Sequence, residues 1–395
     1  MISNRQLFLE HQAQTSDFPM LVEISHAKGV YMYGPEGQKY IDLISGIGVS
    51  ALGHQHPAVT QAVKDQAEKH MHVMCYGEFV TDPAAQLSKA LADTLPDPLS
   101  VTYFLNSGSE ATEASLKLAK RFTGRSELIS ALNSYHGSTQ GALSVTGDEK
   151  MKRNFRPLLP DVRHIRYGNI EDLQYITKRT AGIILETVQG EAGVQQSSQE
   201  YWTAVRKRCD ETGTLLILDE IQAGFGRTGK FWAFEHYGIQ PDILLCAKAM
   251  GGGMPISGVI SSHEIMSTLR NNPILGHIST FGGHPVSCAA SLATLKAIQD
   301  EKLVESVDAK AELFKSLLTH PDIEEIRQIG LMMAVKFDSF KRNKAIIDKA
   351  VELGVISDWF LFCDDSFRMA PPLNITEEEI REACDIITQA IEATK

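Results

Sequence analysis

Six short apolar runs, separated by stretches with helical spacing, restrict the fold more than anything else in this chain. They are VTYFL (Val101 to Leu105), ELISAL (Glu127 to Leu132), AGIILE (Ala181 to Glu186), LLILD (Leu215 to Asp219), DILLCA (Asp242 to Ala247) and ISGVIS (Ile256 to Ser261). Each has the length of a strand, and each is mostly apolar without strict alternation, as expected where a strand is covered on both faces. Pro57 to His70, Ser109 to Phe122 with Gly124 as a stop, and Gln199 to Thr212 read as helices between them. That order predicts an α/β protein with a mostly parallel central sheet flanked by helices.

The ends of the chain follow another pattern. VYMYGPEGQKYIDL reads as a hairpin around Pro35 to Gly37, and from about Asp300 the order becomes helix, strand, helix. Thr376-Glu377-Glu378-Glu379 is a capping box that opens the last helix. The expectation is a large domain over residues 56–300 and a smaller α+β domain built from residues 1–55 and 301–395. A length of 395 residues with 43% apolar content supports a core of that size. The formal charge of −11 argues against nucleic acid or anionic lipid as a partner and leaves small molecules. No run reaches the ~18 apolar residues of a membrane span and no leader pattern opens the chain, so a cytoplasmic protein is expected. The six cysteines are scattered without a CxxC pair, as in reduced thiols rather than a disulfide or zinc framework.

In sheets of this kind ligands bind at the carboxyl ends of the strands. Three strand ends carry unusual residues there. Asp219 closes LLILD, where a buried carboxylate needs a cationic partner or a helix cap. Ser107, Gly108 and Ser109 precede a helix whose free amides could hold a phosphate, although they could equally be an ordinary cap. Tyr135 and His136 follow another strand, where core packing is the plain alternative. Lys248 in LLCAKAMGGG changes the balance. Desolvation at a strand end lowers a lysine toward its nucleophilic neutral form, and the glycines after it let backbone pass close to a bulky ligand. A nucleophilic lysine, an acid for a ring nitrogen, an aromatic shelf and phosphate-binding amides together describe a pyridoxal phosphate site.

The run LLILDEIQAGFGRTGKFWAFEHYGIQPDILLCAKAMGGGMPISGVI resembles the signature of the class III, fold type I, pyridoxal phosphate aminotransferases. IDLISGIGVSALGHQHPAV, NSGSEATEASLKLAKR, YHG, ETVQGEAG, STFGGHP and FRMAPPL follow in the family's order, with wording closest to acetylornithine and ornithine aminotransferases. The resemblance implies that Lys248 attaches the cofactor and shuttles the proton, and that Asp219 keeps the ring nitrogen protonated. It implies that Gln222 bonds the phenolic oxygen, that Tyr135 stacks on the ring with His136 beside it, and that Ser107, Gly108 and Ser109 hold the phosphate. Thr280 would reach the phosphate of the neighbouring subunit, so a homodimer is implied. Arg368 would grip a substrate carboxylate, Glu191 would mask that arginine, and Glu186 would stand behind the cofactor. The activity implied is ping-pong transfer of an amino group from an ω-amino donor to 2-oxoglutarate.

Some positions depart from the family pattern. Ser138 follows YHG where arginine is usual, Thr187 replaces a common proline, His284 a common asparagine, and Ile47 a tyrosine of ornithine aminotransferases. A 4-aminobutyrate or other ω-amino acid aminotransferase, or an aminomutase, is therefore the alternative within enzymes, and an idle cofactor-binding or regulatory relative the alternative outside them. His54 and His56 have ligand-like spacing without acidic or cysteine company, so no metal is expected.

Overall fold

The computed structural model describes residues 3–395. Its centre is a seven-stranded sheet of β1 (Val101–Leu105), β2 (Glu127–Ala131), β3 (Val162–Ile165), β4 (Thr180–Glu186), β5 (Leu215–Asp219), β6 (Ile243–Cys246) and β7 (Ser257–Ser261). The spatial order is β1-β7-β6-β5-β4-β2-β3. Only β7 runs against the others, pairing antiparallel with β6 and β1. Every residue of β4, β5, β6 and β7 is buried, which is why these runs are mostly apolar in sequence. β3 escaped the sequence reading because it is an edge strand with two polar residues, Arg163 and His164, among its four.

Helices cover the sheet through small side chains. Helix Gly108–Thr123 lays Ala111, Ala114, Ser115, Leu118 and Ala119 inward; Ser107 caps its start and Gly124, at φ +68°, ends it in the left-handed conformation that favours glycine. Helix Pro285–Asp300 was not legible in sequence. It is buried on several sides, against helices Pro57–Lys69 and Asp82–Ala92, so its apolar residues show little one-sided periodicity.

Two four-stranded sheets lie beside this centre. The first joins His26–Lys28, Tyr31–Tyr33 and Lys39–Asp42, the expected hairpin among them, to Val355–Ile356, which enters parallel to Lys39–Asp42. Segments from the two ends of the chain thus share one sheet. The second is antiparallel, in the order Glu325–Ile329, Met332–Lys336, Cys363–Met369, Trp359–Phe360. Ser357 and Asp358 form the crossing between the two sheets. The last helix, Glu377–Ala393, opens with both hydrogen bonds of the Thr376–Glu379 capping box. All six cysteines are free thiols, five of them buried. Among the described residues no helix is long and apolar enough to cross a membrane.

Candidate active site

The carboxyl edge of the central sheet opens into a cavity of about 380 Å³, lined by residues from nearly every strand end. Ser107, Gly108, Ser109, Tyr135, His136, Glu186, Glu191, Asp219, Gln222 and Lys248 all contribute to its wall. The parallel register produces this convergence, because neighbouring strands end level: Glu186 of β4 sits opposite Asp219 of β5. Thr280 lies elsewhere, exposed and outside this wall. Arg368 is buried behind Glu191.

Asp219 has the partner that its burial demands. His136 Nδ1 stands 2.7 Å from Asp219 Oδ2, and Oδ1 accepts the N–H of Ile221 at 3.0 Å. The backbone of His136 is pinned on both sides, since its N–H donates to Thr146 Oγ1 at 3.2 Å and its carbonyl accepts from Thr112 Oγ1 at 2.9 Å. Sequence reasoning placed His136 beside the ring but missed its bond to Asp219, which joins residues 83 positions apart. Glu186, against Asp219, has its pKa raised well above the usual range by burial, then by the Asp219 and Glu191 charges; the N–H groups of Tyr135 and Gly190, each at 3.4 Å, oppose the rise only weakly.

Lys248 is half-buried at the cavity wall, with a left-handed φ of +47°, a conformation that costs an L-residue roughly 1 kcal/mol. Desolvation by the surrounding protein lowers its pKa, while Glu191, Asp219 and Glu186 pull it back. At the other end, Ser107 Oγ caps Glu110 N at 3.2 Å, which leaves the N–H groups of Gly108 and Ser109 without an intrahelical acceptor. A Cβ at Gly108 would come within 3.0 Å of Ile221, and one at Gly137 within 2.1 Å of Ser109 Oγ, so the cradle has room only for glycine. Free amides at a helix start, an acid on the cavity floor, an aromatic wall and a desolvated amine fit pyridoxal phosphate at its phosphate, ring and carbonyl ends.

A second group of charges adjoins this cavity. Arg368 donates from Nη1 and Nη2 to the two oxygens of Glu191, each at 2.7 Å, and Gln222 Nε2 reaches Glu191 Oε1 at 3.4 Å. Asp358 Oδ1 lies 2.8 Å from Arg368 Nε, the Trp359 carbonyl accepts from Nη2 at 3.0 Å, and the guanidinium sits 4.5 Å from the centroid of the Phe360 ring. Burial alone would raise Glu191, but the charge and hydrogen bonds of Arg368, the charge of Lys248 and the Leu361 N–H hold it at about 2. Asp358 is pushed up to about 6 by burial, against the pull of Arg368. No sequence signal marked Asp358, which meets Arg368 only through the crossing between the two smaller sheets.

The departures also have places. Ser138 is exposed and its Oγ lies 3.2 Å from the Tyr135 hydroxyl. Thr187 Oγ1 donates at 2.9 Å to the buried Glu220, a bond that proline could not supply. His54 and His56 part to different acids, Asp42 at 2.8 Å and Glu301 at 2.9 Å.

The family model described as aminotransferase class-III matches residues 12–391. The acetylornithine aminotransferase of Methanopyrus kandleri is 38% identical over 387 residues, which is 97% of each chain. That of Methanothermobacter thermautotrophicus is 38% identical over 376 residues, 94% of each. Among solved structures, an ornithine aminotransferase from Toxoplasma gondii, with pyridoxal phosphate at its active site in partial occupancy, superposes with a TM-score of 0.91 at 29% identity, covering 100% of this chain and 96% of that one. The ω-transaminase of Pseudomonas jessenii, in complex with PMP, superposes at 0.93 with 26% identity, over 99% of this chain and 98% of that one.

Proposed function

The chain belongs to the class III aminotransferases, pyridoxal phosphate-dependent enzymes, and from that premise we propose that it moves an amino group from an ω-amino donor of the acetylornithine or ornithine kind to 2-oxoglutarate by a ping-pong route. One observation carries the reading. Arg368 offers a two-pronged fork suited to a carboxylate, yet a side chain that could leave, Glu191, closes it at 2.7 Å. A site with that arrangement can take a substrate whose reacting end lacks a carboxylate while the fork is shut, and a 2-oxo acid when it is open.

When bound, pyridoxal phosphate supplies a carbonyl that accepts amines and a ring that withdraws electrons from the amine-bearing carbon. The N–H groups of Gly108 and Ser109 would hold its phosphate, and Tyr135 would cover one face of the ring. Asp219, steadied by His136, would keep a proton on the ring nitrogen. Gln222 would donate to the phenolic oxygen. Lys248 Nζ would attach the carbonyl end, yield it to the donor amine, then take the proton from the amine-bearing carbon and return it.

A homodimer in the cytoplasm completes the reading. Met71, Phe79, Val80, Ile274 and Phe281 are exposed large apolar side chains, the last two close to Thr280 in sequence, and a second copy of the chain would cover them. Thr280 would then serve the partner's phosphate. Ser138 favours a second reading within the same class. Exposed and uncharged beside Tyr135, it offers no cation where arginine is usual, which leaves room for donors such as 4-aminobutyrate or putrescine. Two measurements test these assignments. Arg368→Ala should raise the apparent KM for 2-oxoglutarate, and an unchanged value removes the fork assignment. A donor panel of N-acetylornithine, ornithine, 4-aminobutyrate, lysine, β-alanine and putrescine should favour N-acetylornithine, with free ornithine weaker because Ile47 stands where ornithine aminotransferases carry tyrosine; no turnover with either would overturn the donor class.

A further inference from the structure

The fork of Arg368 is held by two acids, and only one of them faces the cavity. Glu191 takes Nη1 and Nη2 end-on, the same edge that an incoming carboxylate must use. Asp358 Oδ1 lies on the opposite edge, 2.8 Å from Nε, as an ion pair without hydrogen-bond alignment, where no substrate could reach it. The backbone of the same segment is tied to the arginine as well. Arg368 N donates to the Asp358 carbonyl at 2.9 Å, Ser357 Oγ donates to the Arg368 carbonyl at 2.6 Å, and Nη2 donates to the Trp359 carbonyl.

The two acids differ in what anchors them. Glu191 lies in the loop after β4, in the cavity wall; its carbonyl accepts from the Phe362 N–H at 3.0 Å, but its carboxylate oxygens hold few other donors, the Leu361 N–H at 3.1 Å and Gln222 at 3.4 Å. Asp358 sits in the short crossing between two sheets, fixed by strand pairing on either side. A guanidinium that is only 3% exposed cannot give up its single counter-charge without becoming an isolated buried cation. With two counter-charges it can release one.

We propose that Asp358 is a positioning residue whose fixed negative charge stays on Arg368 while Glu191 leaves, and so lets the fork open to the carboxylate of the 2-oxo acid. This rests on the reading of Arg368 as the acceptor's carboxylate clamp. Asp358 itself touches neither substrate nor cofactor. Its charge lowers the hold of Arg368 on Glu191 and keeps the guanidinium plane in place against Phe360 during the exchange.

The test uses the holoenzyme at pH 8, above the value of about 6 to which burial pushes the Asp358 carboxyl. Asp358→Asn keeps an oxygen for Nε and nearly the same volume, but removes the charge. The KM for 2-oxoglutarate should rise at least about tenfold more than the KM for the amino donor, within the range by which coupled sites shift one another. Adding Glu191→Gln to Asp358→Asn should bring the acceptor KM back toward the wild-type value, because nothing charged then competes for the fork. A purely structural role for Asp358 would be satisfied by asparagine and would leave the KM ratio unmoved, which overturns the proposal. Failure of the double variant to recover overturns it too. Arg368→Ala in the same series separates the two ideas: a raised acceptor KM there with an unmoved ratio in Asp358→Asn defeats only the role of Asp358, whereas an unchanged acceptor KM in Arg368→Ala defeats the clamp and this inference together.

Discussion

Replacing Arg368 with methionine would leave Glu191 and Asp358 buried without a cation, and the wild-type balance gives the size of the effect. Glu191 is held at about 2 against an ordinary 4.5, a separation that at 1.36 kcal/mol per pH unit stabilises the fold by about 3 kcal/mol at neutral pH. Asp358 is raised from 3.8 to about 6, which costs about 3 kcal/mol under the same conditions. The shifts of the two acids thus nearly cancel, as contributions within buried ion clusters often do, and the retention of both is better explained by use than by strength. In Arg368→Met the favourable part disappears and both acids carry their desolvation cost, so a loss of about 3–5 kcal/mol is expected at pH 8. The sign with pH follows. The depressed Glu191 of the wild type stabilises above about 4.5 and is lost only as pH falls through about 2. In the variant both carboxyls are raised, so their cost is full at high pH and fades as they protonate. Urea unfolding of the apo proteins at pH 8 and pH 5, followed by tryptophan fluorescence and circular dichroism, should show a gap that narrows at pH 5. A gap below about 1 kcal/mol at pH 8, or one equal at both pH values, would refute the reasoning.

Further outcomes follow from other contacts. Thr187→Val removes a donor from Glu220, already pushed up to about 7 by burial, and should destabilise by about 1–2 kcal/mol, more at pH 8.5 than at pH 6 because the charged form loses most; urea midpoints at the two pH values would check it. Uptake of pyridoxal phosphate by the apoenzyme should quicken as pH rises through the lowered pKa of Lys248, and Glu191→Gln should move that limb to lower pH by removing a charge that raises it; stopped-flow absorbance showing the opposite displacement would count against the geometry. Val80, 91% exposed, should be covered in the proposed dimer, so Val80→Asp should yield monomers and lower activity in sedimentation and turnover assays, and an intact dimer would exclude this face.

Much of the architecture was legible because the strands that build the cavity floor are buried on both faces and therefore read as apolar runs. LLILD coincides with β5, VTYFL with the partly buried edge strand β1, and Gln199–Thr212 with its helix. What stayed hidden lacked one-sided periodicity or strong composition: the polar edge strand β3 and the largely buried helix Pro285–Asp300. Lys248, Asp219 and Tyr135 could be singled out because unusual residues at strand ends stand out against that background. The sequence by itself therefore determined the α/β scaffold and the chemical types gathered at its carboxyl edge, since local hydrophobic pattern and turn chemistry act over a few residues. Only the tertiary structure decided that His136 steadies Asp219, that Thr187 serves Glu220, and that Arg368 is shared between Glu191 and Asp358. Those partners lie on separate elements, and desolvation and Coulomb interactions depend on distances through space that only packing brings down to hydrogen-bond length.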